Sequence, residues 1–437
     1  MNSLIPVAPA PAMSEAVFAF TLILLLIAPL AIAGVALINA GLGRSRSAAQ
    51  AMLGNVAIVA VAVVVFALLG AMIAGEAAAP GHAIHLAGKA WRWIGSGRLL
   101  AGAAAAPGGS FHSGQLATLF EFLAVALTAI IPWGTGADRF RLAAGCVCAA
   151  VLAGLVFPFF ACWTWGGGWL EQLGANFGLG AGFLDLGGAA SIHAVGGLGA
   201  LAVVWIAGPR KGKFPKEGFS MAMPAHNAVY VLFGCLLSLV GWLAWNAAGA
   251  VLWRQAPLGE LPMTAINTVL CASAAILATL AVTRFRFGKP DASMCANGWL
   301  AGLVASSATA GLVTPAESLL VGLVAGVATP LLVELLELAL SIDDPSGAIG
   351  AHAVAGLWGL LAAGLFAAQP GQLLAQLVGI GTLLGVVLPV VYLLFAMINR
   401  VVPFRVDPDG ERVGMDLHEL GGGAYPEFVI HRDDSYR

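Results

Sequence analysis

Charged residues are scarce in this chain of 437 residues. Only 10% of its residues are Asp, Glu, Lys or Arg, whereas 60% are hydrophobic. A typical soluble domain is about 25% charged and about 45–50% apolar. The composition therefore excludes an ordinary soluble protein and predicts a polytopic membrane protein. The formal net charge of −2 indicates no particular partner.

Motifs for bound metals and nucleotides are also missing. The six cysteines lie in or beside apolar segments, and the two closest, Cys146 and Cys148, do not have C-x-x-C spacing. The glycine-rich runs lack the spacing of a phosphate-binding loop. The N-terminal segment lacks the positively charged start of a signal peptide. We therefore expect no cofactor, no resident metal, no nucleic-acid partner and no enzyme activity.

Long apolar runs recur along the chain, each close to the roughly 20 residues that a helix needs to cross a bilayer. They predict an all-α membrane domain at 1–402 with eleven transmembrane helices, followed by a polar cytoplasmic tail at 403–437. The predicted spans are 16–41, 49–76, 114–134, 142–166, 187–208, 226–253, 263–284, 294–311, 316–338, 347–368 and 376–402.

The distribution of Lys and Arg predicts the orientation of these helices. If the N-terminus is outside, sixteen of the twenty basic residues fall on inner loops and on the tail. The four that remain outside are Lys89, Arg92, Arg98 and Arg254. The sequence therefore predicts an outer N-terminus, a cytoplasmic C-terminus and a multi-pass protein of the inner or plasma membrane.

One phrase is written twice in the sequence. Residues 185–201, DLGGAASIHAVGGLGAL, and residues 344–360, DPSGAIGAHAVAGLWGL, agree at nine of seventeen positions. They belong to the fifth and tenth spans, so the second copy enters the membrane from the opposite side, as in an inverted-topology repeat. We assign the first repeat to 16–208 and the second to 226–368, with the span 376–402 added.

Each copy of the phrase places a histidine, His193 or His352, eight residues after an aspartate, Asp185 or Asp344. Eight residues rise about 12 Å along a helix, and half of a hydrocarbon core is about 15 Å. Both imidazoles are therefore expected near the midplane, where ionisable groups generally line pathways. The alternatives are that the histidines only pack and that the aspartates only cap helices.

Aromatic residues, rather than charges, surround the expected route. Trp163, Trp165 and Trp169 stand in one run, and Trp242 and Trp245 in another. These indoles could also form an interfacial belt or pack in the core. An apolar route with two neutral imidazoles suits a small, nearly neutral solute, and an aromatic face at its mouth could hold a cation.

Several segments resemble the ammonium transporter family, the Amt branch of the Amt/Rh/MEP superfamily. They lie between 16 and 425 and include AGVALINAGLGRSRS, WGGGWL, DLGGAASIH, RFRFGKPD, GLVTPAESLLVG, DDPSGAIGAHAVAGLWG and GERVGMDLHELGGGAY. The resemblance implies a homotrimer with one pore per subunit. It also implies that ammonium is recruited and deprotonated at an outer vestibule, and that ammonia and a proton then pass the histidine pair.

The resemblance assigns roles to single residues as well. Trp165 matches the tryptophan that holds a cation at the outer vestibule, and Phe120 matches a phenylalanine of the same vestibule. Asp185 matches the aspartate that supports this site from behind. Trp242 matches a pore tryptophan beside the family's twin histidines, which match the two histidines of the repeated phrase.

Three positions depart from the family's pattern. Gly249 stands in place of a vestibule serine, and Trp245 and Ala124 stand in place of two gate phenylalanines. A hydroxyl acceptor is therefore lost, and Gly249→Ser is expected to restore it. The larger indole of Trp245 could fill the space that Ala124 opens.

The sequence predicts ammonium transport, with methylammonium as another candidate substrate. The alternatives are an ammonium-binding sensor or non-conducting member that signals through its tail, and a pore for another small neutral solute. The resemblance adds a PII signalling protein as a partner of the tail, whose residues Asp416 and Glu419 are expected to dock on basic inner loops such as 209–217. The outer loop 77–113 is interpreted as a cap.

Overall fold

The computed structural model describes residues 13–75, 82–95, 113–217 and 220–425. Its main feature is a bundle of eleven helices that follow the predicted spans closely. The helices are α1 (Glu15–Leu42), α2 (Ser45–Ala74), α3 (Ser113–Thr135), α4 (Leu142–Thr164), α5 (Ala189–Ala207), α6 (Ala228–Arg254), α7 (Leu258–Phe287), α8 (Ala292–Thr309), α9 (Pro315–Ala339), α10 (Ile349–Phe366) and α11 (Gln372–Val401). The end of the predicted tail, 426–437, lies outside the described residues, as do Arg98 and much of the outer loop.

Ten of the helices in the described part of the chain are long and apolar enough to cross a membrane. The remaining predicted span, the eighth at 294–311, corresponds to α8, an 18-residue helix that carries Asn297, Ser306 and Ser307. Most of its residues are buried, and it packs against α6, α7, α9 and α10. Because polar side chains in a membrane helix face the bundle interior, this position explains why α8 is more polar than its neighbours. The chain is a multi-pass membrane protein.

Local sequence signals set several of the helix ends. The side chain of Asn227 accepts a hydrogen bond from the backbone N–H of Tyr230 at 3.0 Å, which caps the start of α6. At the start of α9, Thr314 and Glu317 form a reciprocal capping box, and Pro315 takes the first helical position. These ends fall within two residues of the predicted boundaries of the sixth and ninth spans.

The two copies of the repeated phrase cross in close contact. A Cβ atom on Gly197 of α5 would lie 2.4 Å from the backbone nitrogen of Ala353, and one on Gly356 of α10 would lie 2.5 Å from the carbonyl oxygen of Ala189. Only glycine allows backbones to approach this closely. The earlier residue of α5, Ala189, contacts the later residue of α10, Gly356, and the later residue of α5, Gly197, contacts the earlier Ala353. The two segments are therefore antiparallel, as an inverted repeat requires. The wider division into two repeats and a tail stays a prediction.

An outer β-hairpin, formed by β1 (His82–Leu86) and β2 (Lys89–Ile94), is a feature that the all-α prediction did not include. Its two turn residues both have positive φ, 52° and 75°, the combination that a two-residue turn of type I′ requires. Trp163 of α4 donates from Nε1 to the carbonyl oxygen of Trp93 at 2.9 Å. The hairpin therefore covers the outer end of α4, as the interpretation of this loop as a cap requires.

A buried cluster of charges joins helix ends on the side that carries the tail, which we call the inner side. The side chain of Arg210 donates two hydrogen bonds to the carboxylate of Asp343, at 2.9 and 3.0 Å, and a third to Asp138 at 3.0 Å. Arg139 lies 3.5 Å from Asp343. Burial alone would raise the pKa of Asp343, but the charge of Arg139 and the hydrogen bonds and charge of Arg210 lower it overall. Arg139 and Arg210, two of the basic residues that predicted the orientation, therefore also hold the inner loops together through ion pairs.

The tail is folded against the inner ends of two helices. Asp416 accepts hydrogen bonds from the backbone N–H groups of Ala49 and Gln50, at 3.1 and 2.7 Å, in the first turns of α2. Glu419 accepts one from the N–H of Leu142 at 3.1 Å, at the start of α4. Carboxylates are favourable there because helix N-termini have unpaired N–H groups and a positive dipole end. The prediction that these two carboxylates dock on basic loops is therefore wrong, since they bind helix N-termini.

A different tail residue, Glu411, reaches the basic inner loop. Its Oε1 accepts a hydrogen bond from the backbone N–H of Lys211 at 2.5 Å, and its Oε2 accepts one from Arg405 at 2.7 Å. Its side chain is almost fully buried. The tail is thus held by contacts with one loop and with two helix ends.

Candidate functional site

The two histidines of the repeated phrase meet where α5 and α10 cross. The Nδ1 atoms of His193 and His352 are 3.2 Å apart, and the ring centroids are 5.2 Å apart with 21° between the ring planes. The two residues are 0% and 3% exposed. At this distance one Nδ1 donates a hydrogen bond and the other accepts it. The structure therefore brings the predicted pair together as hydrogen-bonded neighbours.

The aspartate at the start of each copy of the repeated phrase accepts hydrogen bonds from the backbone that precedes the histidine. The carboxylate of Asp185 accepts hydrogen bonds from the N–H groups of Ala190 and Ser191, at 3.0 and 2.8 Å. The carboxylate of Asp344 accepts one from the N–H of Ile349 at 2.8 Å. Both carboxylates therefore bind N–H groups in the first turn of the helix that follows, which is the contact that a helix cap makes.

Both histidines lie in a widened helical turn that the sequence did not predict. These turns span Ala189–Ala194 in α5 and Ile349–Val354 in α10, and both are π-helical. Five other segments of the described chain are π-helical too, so the turn type alone does not mark a functional site. Their presence in both copies indicates that the repeated phrase encodes a specific backbone shape as well as a histidine.

Trp242 of α6 lies against the histidine pair, as predicted. Its ring is nearly parallel to that of His193, with 13° between the planes and 5.0 Å between the centroids. Its Nε1 donates a hydrogen bond to Oγ of Ser307 at 3.0 Å, which fixes the indole. The Nε2 atom of His193 is buried and has no partner within the described ranges. This nitrogen therefore has unused hydrogen-bonding capacity.

The aromatic residues predicted for the vestibule and gate also lie together. The centroid of the Phe120 ring is 5.4 Å from that of Trp165 and 4.9 Å from that of Trp245. The Nε1 of Trp165 donates a hydrogen bond to the carbonyl oxygen of Asp185 at 2.6 Å. Asp185 therefore supports this residue through its backbone, while its carboxylate caps α5.

A fourth ring, Trp253, completes this cluster and was missed at the level of sequence. It is parallel to Trp165, with 2° between the planes and 5.2 Å between the centroids, and Phe120 meets it edge-on at 5.5 Å. We call Phe120, Trp165, Trp245 and Trp253 the aromatic mouth. A stacked neighbour at this distance leaves no room for a cation over that face of Trp165. The spacing of four residues from Trp245 to Gly249 and on to Trp253 places all three on one helix face, and this was the available signal.

Backbone packing explains the glycine at the position of the vestibule serine. A Cβ atom on Gly249 would lie 2.1 Å from the carbonyl oxygen of Leu186, far inside contact distance. The expectation that Gly249→Ser restores an acceptor is therefore wrong, because any side chain there displaces the neighbouring segment. Trp245 donates from Nε1 to the carbonyl oxygen of Gly187 at 3.1 Å. That its indole fills the space beside Ala124, which is fully buried, stays a prediction.

A membrane helix bundle in which two oppositely directed segments bring polar residues together at their crossing has the architecture typical of transporters. The profile of the Ammonium Transporter Family matches residues 18–425, and the chain belongs to this family. The ammonium transporter Amt2 of Archaeoglobus fulgidus is 31% identical, over 91% of this chain and 85% of its own. The ammonium transporter of Bacillus subtilis is 29% identical, over 95% of this chain and all of its own.

Solved structures share the fold. A structure described as a sensor Amt protein superposes with a TM-score of 0.82 at 24% identity, covering 92% of this chain and 98% of its own. Mep2 of Candida albicans superposes with a TM-score of 0.76 at 24% identity, covering 95% of this chain and 92% of its own. At this level of identity the similarity establishes the fold alone.

Proposed function

We propose that this protein carries ammonium across the membrane as ammonia and a proton that travel separately. The observation that carries the proposal is the contact between His193 and His352, two buried imidazoles whose Nδ1 atoms are 3.2 Å apart. An ammonium ion in an apolar route would lose its hydration, at a cost of several kcal/mol or more. Ammonia is uncharged and avoids this penalty.

The geometry of the pair suits a proton relay. When a proton binds Nε2 of one ring, that ring can pass its Nδ1 proton across the 3.2 Å contact to the other ring. The second ring then loses the proton on its own Nε2. Two adjacent imidazolium cations repel each other, so one ring at most is charged at a time. Each transfer reverses the hydrogen bond between the rings, so the original tautomers must return before the next proton.

The aromatic mouth is proposed to recruit the cation and to remove its proton before ammonia reaches the histidines. A cation over one aromatic face gains about 0.5–2 kcal/mol, and Phe120 and Trp165 offer such faces on the outer side. In this structure Trp253 covers one face of Trp165. We therefore propose that the mouth is closed in this arrangement and that it opens when ammonium binds.

The closed mouth also favours a second candidate function, an ammonium-binding sensor or non-conducting member of the family. Trp253 occupies one face of the recruiting tryptophan, and the backbone beside Gly249 excludes a vestibule hydroxyl. Such a protein would bind ammonium and change the contacts of its tail without carrying current. Ammonium-evoked current separates the two functions.

Three further expectations are part of this proposal. Methylammonium is a second substrate because it carries the same charge and differs by one methyl group. The homotrimer and the PII partner rest on the family resemblance. The docking of Asp416 and Glu419 on helices α2 and α4 supports the PII partner, because a protein that pulls on the tail would act directly on two membrane helices.

The test uses purified protein in proteoliposomes on a solid-supported membrane. We expect an ammonium pulse to evoke current in the wild type and none in the double variant His193→Ala/His352→Ala. The matched control is His85→Ala, which removes an exposed histidine of the outer hairpin and should leave the current unchanged. Wild-type current in the double variant would overturn the relay. Ammonium binding without current in the wild type would favour the sensor.

A further inference from the structure

A buried carboxyl group lies inside the membrane part of the chain, next to the aromatic mouth in sequence. Glu121 of α3 directly follows Phe120 and is 8% exposed. It forms no hydrogen bond and no ion pair with any residue in the described ranges. An ionisable group in a membrane helix is unfavourable without a partner, and such groups generally line the paths of ions or protons.

The position of Glu121 on α3 turns it toward the protein. Around this level Phe120, Glu121 and Ala124 are buried. Because a helix has 3.6 residues per turn, these three residues share one face, and the partly exposed residues share the other. Glu121 therefore faces other helices and not the lipid. The partly exposed residues are Thr118, Leu119, Phe122 and Leu123.

Contacts with α4 place Glu121 just inside the aromatic mouth. Its carboxyl group lies close enough to the thiol of Cys162 to act on it electrostatically. Cys162 precedes Trp165 by three residues, so the two are neighbours on α4, and Trp165 meets the ring of Phe120 at 5.4 Å. Since α4 runs outward, Cys162 is on the inner side of Trp165. Glu121 is therefore between α3 and α4, beside the rings proposed to recruit the cation.

The packing of α3 on α5 gives the depth of Glu121 relative to the histidines. A Cβ atom on Gly196 of α5 would lie 2.8 Å from the carbonyl oxygen of Thr128 in α3, so these two residues share one level. Both helices run inward. Glu121 precedes Thr128 by seven residues and His193 precedes Gly196 by three, so Glu121 lies about 6 Å farther out than His193. The carboxyl group is thus at a level between the mouth and the histidine pair.

The other groups around the mouth are poor proton acceptors. A phenylalanine ring has no acceptor atom, and an indole only donates hydrogen bonds. The carboxylate of Asp185 already accepts three hydrogen bonds, from the N–H groups of Ala190 and Ser191 and from the hydroxyl of Ser191. A proton on Asp185 would disrupt the cap of α5. The oxygens of Glu121 carry no such contacts within the part of the chain that the structure describes.

We propose that Glu121 takes the proton from ammonium at the aromatic mouth. One N–H bond of ammonium breaks, the proton binds an Oε atom of the carboxylate, and ammonia keeps the electron pair. A cation and an anion thereby become two neutral groups, which removes the charge before the apolar route. The carboxylic acid then releases the proton through water to Nε2 of His193, and the carboxylate is restored. This role rests on the proposed function, which requires a proton acceptor at this level.

The first experiment compares two variants by the current that a saturating ammonium pulse evokes. Glu121→Gln keeps the size of the side chain and removes the proton acceptor, whereas Glu121→Asp keeps the carboxyl group. We expect Glu121→Gln to lower the current about a hundredfold, the lower end of what a positioned acid or base contributes. Glu121→Asp should recover part of it. The half-saturating concentration should change little, because the rings of the mouth hold the cation.

The matched control is Glu15→Gln, at an exposed carboxylate in the first turn of α1, and its current should match the wild type. Wild-type current in Glu121→Gln would overturn the role of Glu121 and leave transport intact. A Glu121→Asp current no larger than that of Glu121→Gln would overturn it as well. So would a lower melting temperature in Glu121→Gln, because a carboxyl group without a partner has no stabilising contact to lose.

Infrared difference spectroscopy separates this proton transfer from transport itself. Spectra of the membrane-embedded protein are compared in ammonium chloride and in sodium chloride at equal ionic strength. We expect ammonium to produce the carbonyl band of a protonated carboxyl group in the wild type and in Glu15→Gln, but not in Glu121→Gln. If the wild type carries no current, the proposed function fails, and a band that Glu121→Gln lacks still supports proton transfer to Glu121. No band in the wild type, or the same band in Glu121→Gln, would overturn it.

Discussion

Replacing Trp253 with leucine tests whether the aromatic mouth is closed by this residue. The indole of Trp253 stacks on that of Trp165 at 5.2 Å and meets Phe120 edge-on at 5.5 Å. Ammonium can reach the covered face of Trp165 only after this stack opens. We therefore expect Trp253→Leu to lower the half-saturating ammonium concentration applied from outside.

The size of the effect follows from the stack. An aromatic pair is worth about 0.5–1.5 kcal/mol beyond the area it buries. Removing it shifts the balance between closed and open mouths by about two- to thirteenfold. If the wild-type mouth is mostly closed, apparent affinity improves by the same factor. If Trp253 instead holds the cation, its loss weakens binding by about 0.5–2 kcal/mol, and the half-saturating concentration rises.

The opposite directions make this assay decisive. Half-saturating ammonium is measured from peak currents of wild type and Trp253→Leu under identical gradients. The matched control is Trp205→Leu, at a half-exposed tryptophan of α5 outside the aromatic mouth, and it should match the wild type. A higher half-saturating concentration in Trp253→Leu would refute the closed mouth and make Trp253 a wall of the recruitment site.

Three other substitutions test the frame around the site. Asp343→Asn should lower stability by about 3–5 kcal/mol, because it removes the carboxylate that pairs with two buried arginines, Arg139 and Arg210, of which Arg210 keeps only Asp138. Since the folded-state pKa of Asp343 is below its ordinary value, this contribution is present at neutral pH, and the melting temperatures of variant and wild type should converge as pH falls through the folded pKa. Gly249→Ser should lower the melting temperature without improving ammonium affinity, because its Cβ overlaps a backbone carbonyl; a stable variant with tighter binding would contradict the packing argument. Asp416→Asn should increase hydrogen exchange in residues 415–425, whereas Asp409→Asn, at an exposed tail carboxylate, should not; equal exchange in both would contradict docking through Asp416.

The sequence predicted the membrane helices well because their length and apolar character are set by the bilayer. The least apolar of the eleven helices was α8, whose polar residues are surrounded by other helices. The outer hairpin was missed because β1 is short and its five residues are all exposed, so no buried face marks it in the sequence. The basic residues of the inner loops were used only to predict the orientation. The buried ion pair between Arg210 and Asp343 could not be predicted, because the two residues lie in loops that are distant in the chain.

The histidine contact was predictable because the repeated phrase places His193 and His352 at matching depths. The residues that close the mouth were less accessible to sequence reasoning. Trp253 stands outside the motif segments that carry the resemblance, and its stack on Trp165 joins the outer ends of α4 and α6. The clash at Gly249 depends on the carbonyl of Leu186 in another segment, which no pattern within α6 could show.

The most direct test of the central claim is the ratio of charge to nitrogen during transport. Uptake of isotopically labelled ammonium and the accompanying current are measured together in the same proteoliposomes. Separate passage of ammonia and a proton through one protein predicts one elementary charge for each nitrogen that enters. It also predicts that this current disappears in His193→Ala/His352→Ala while the protein remains folded in the membrane. Nitrogen uptake without charge in the wild type, or an unchanged current in the double variant, would contradict the account.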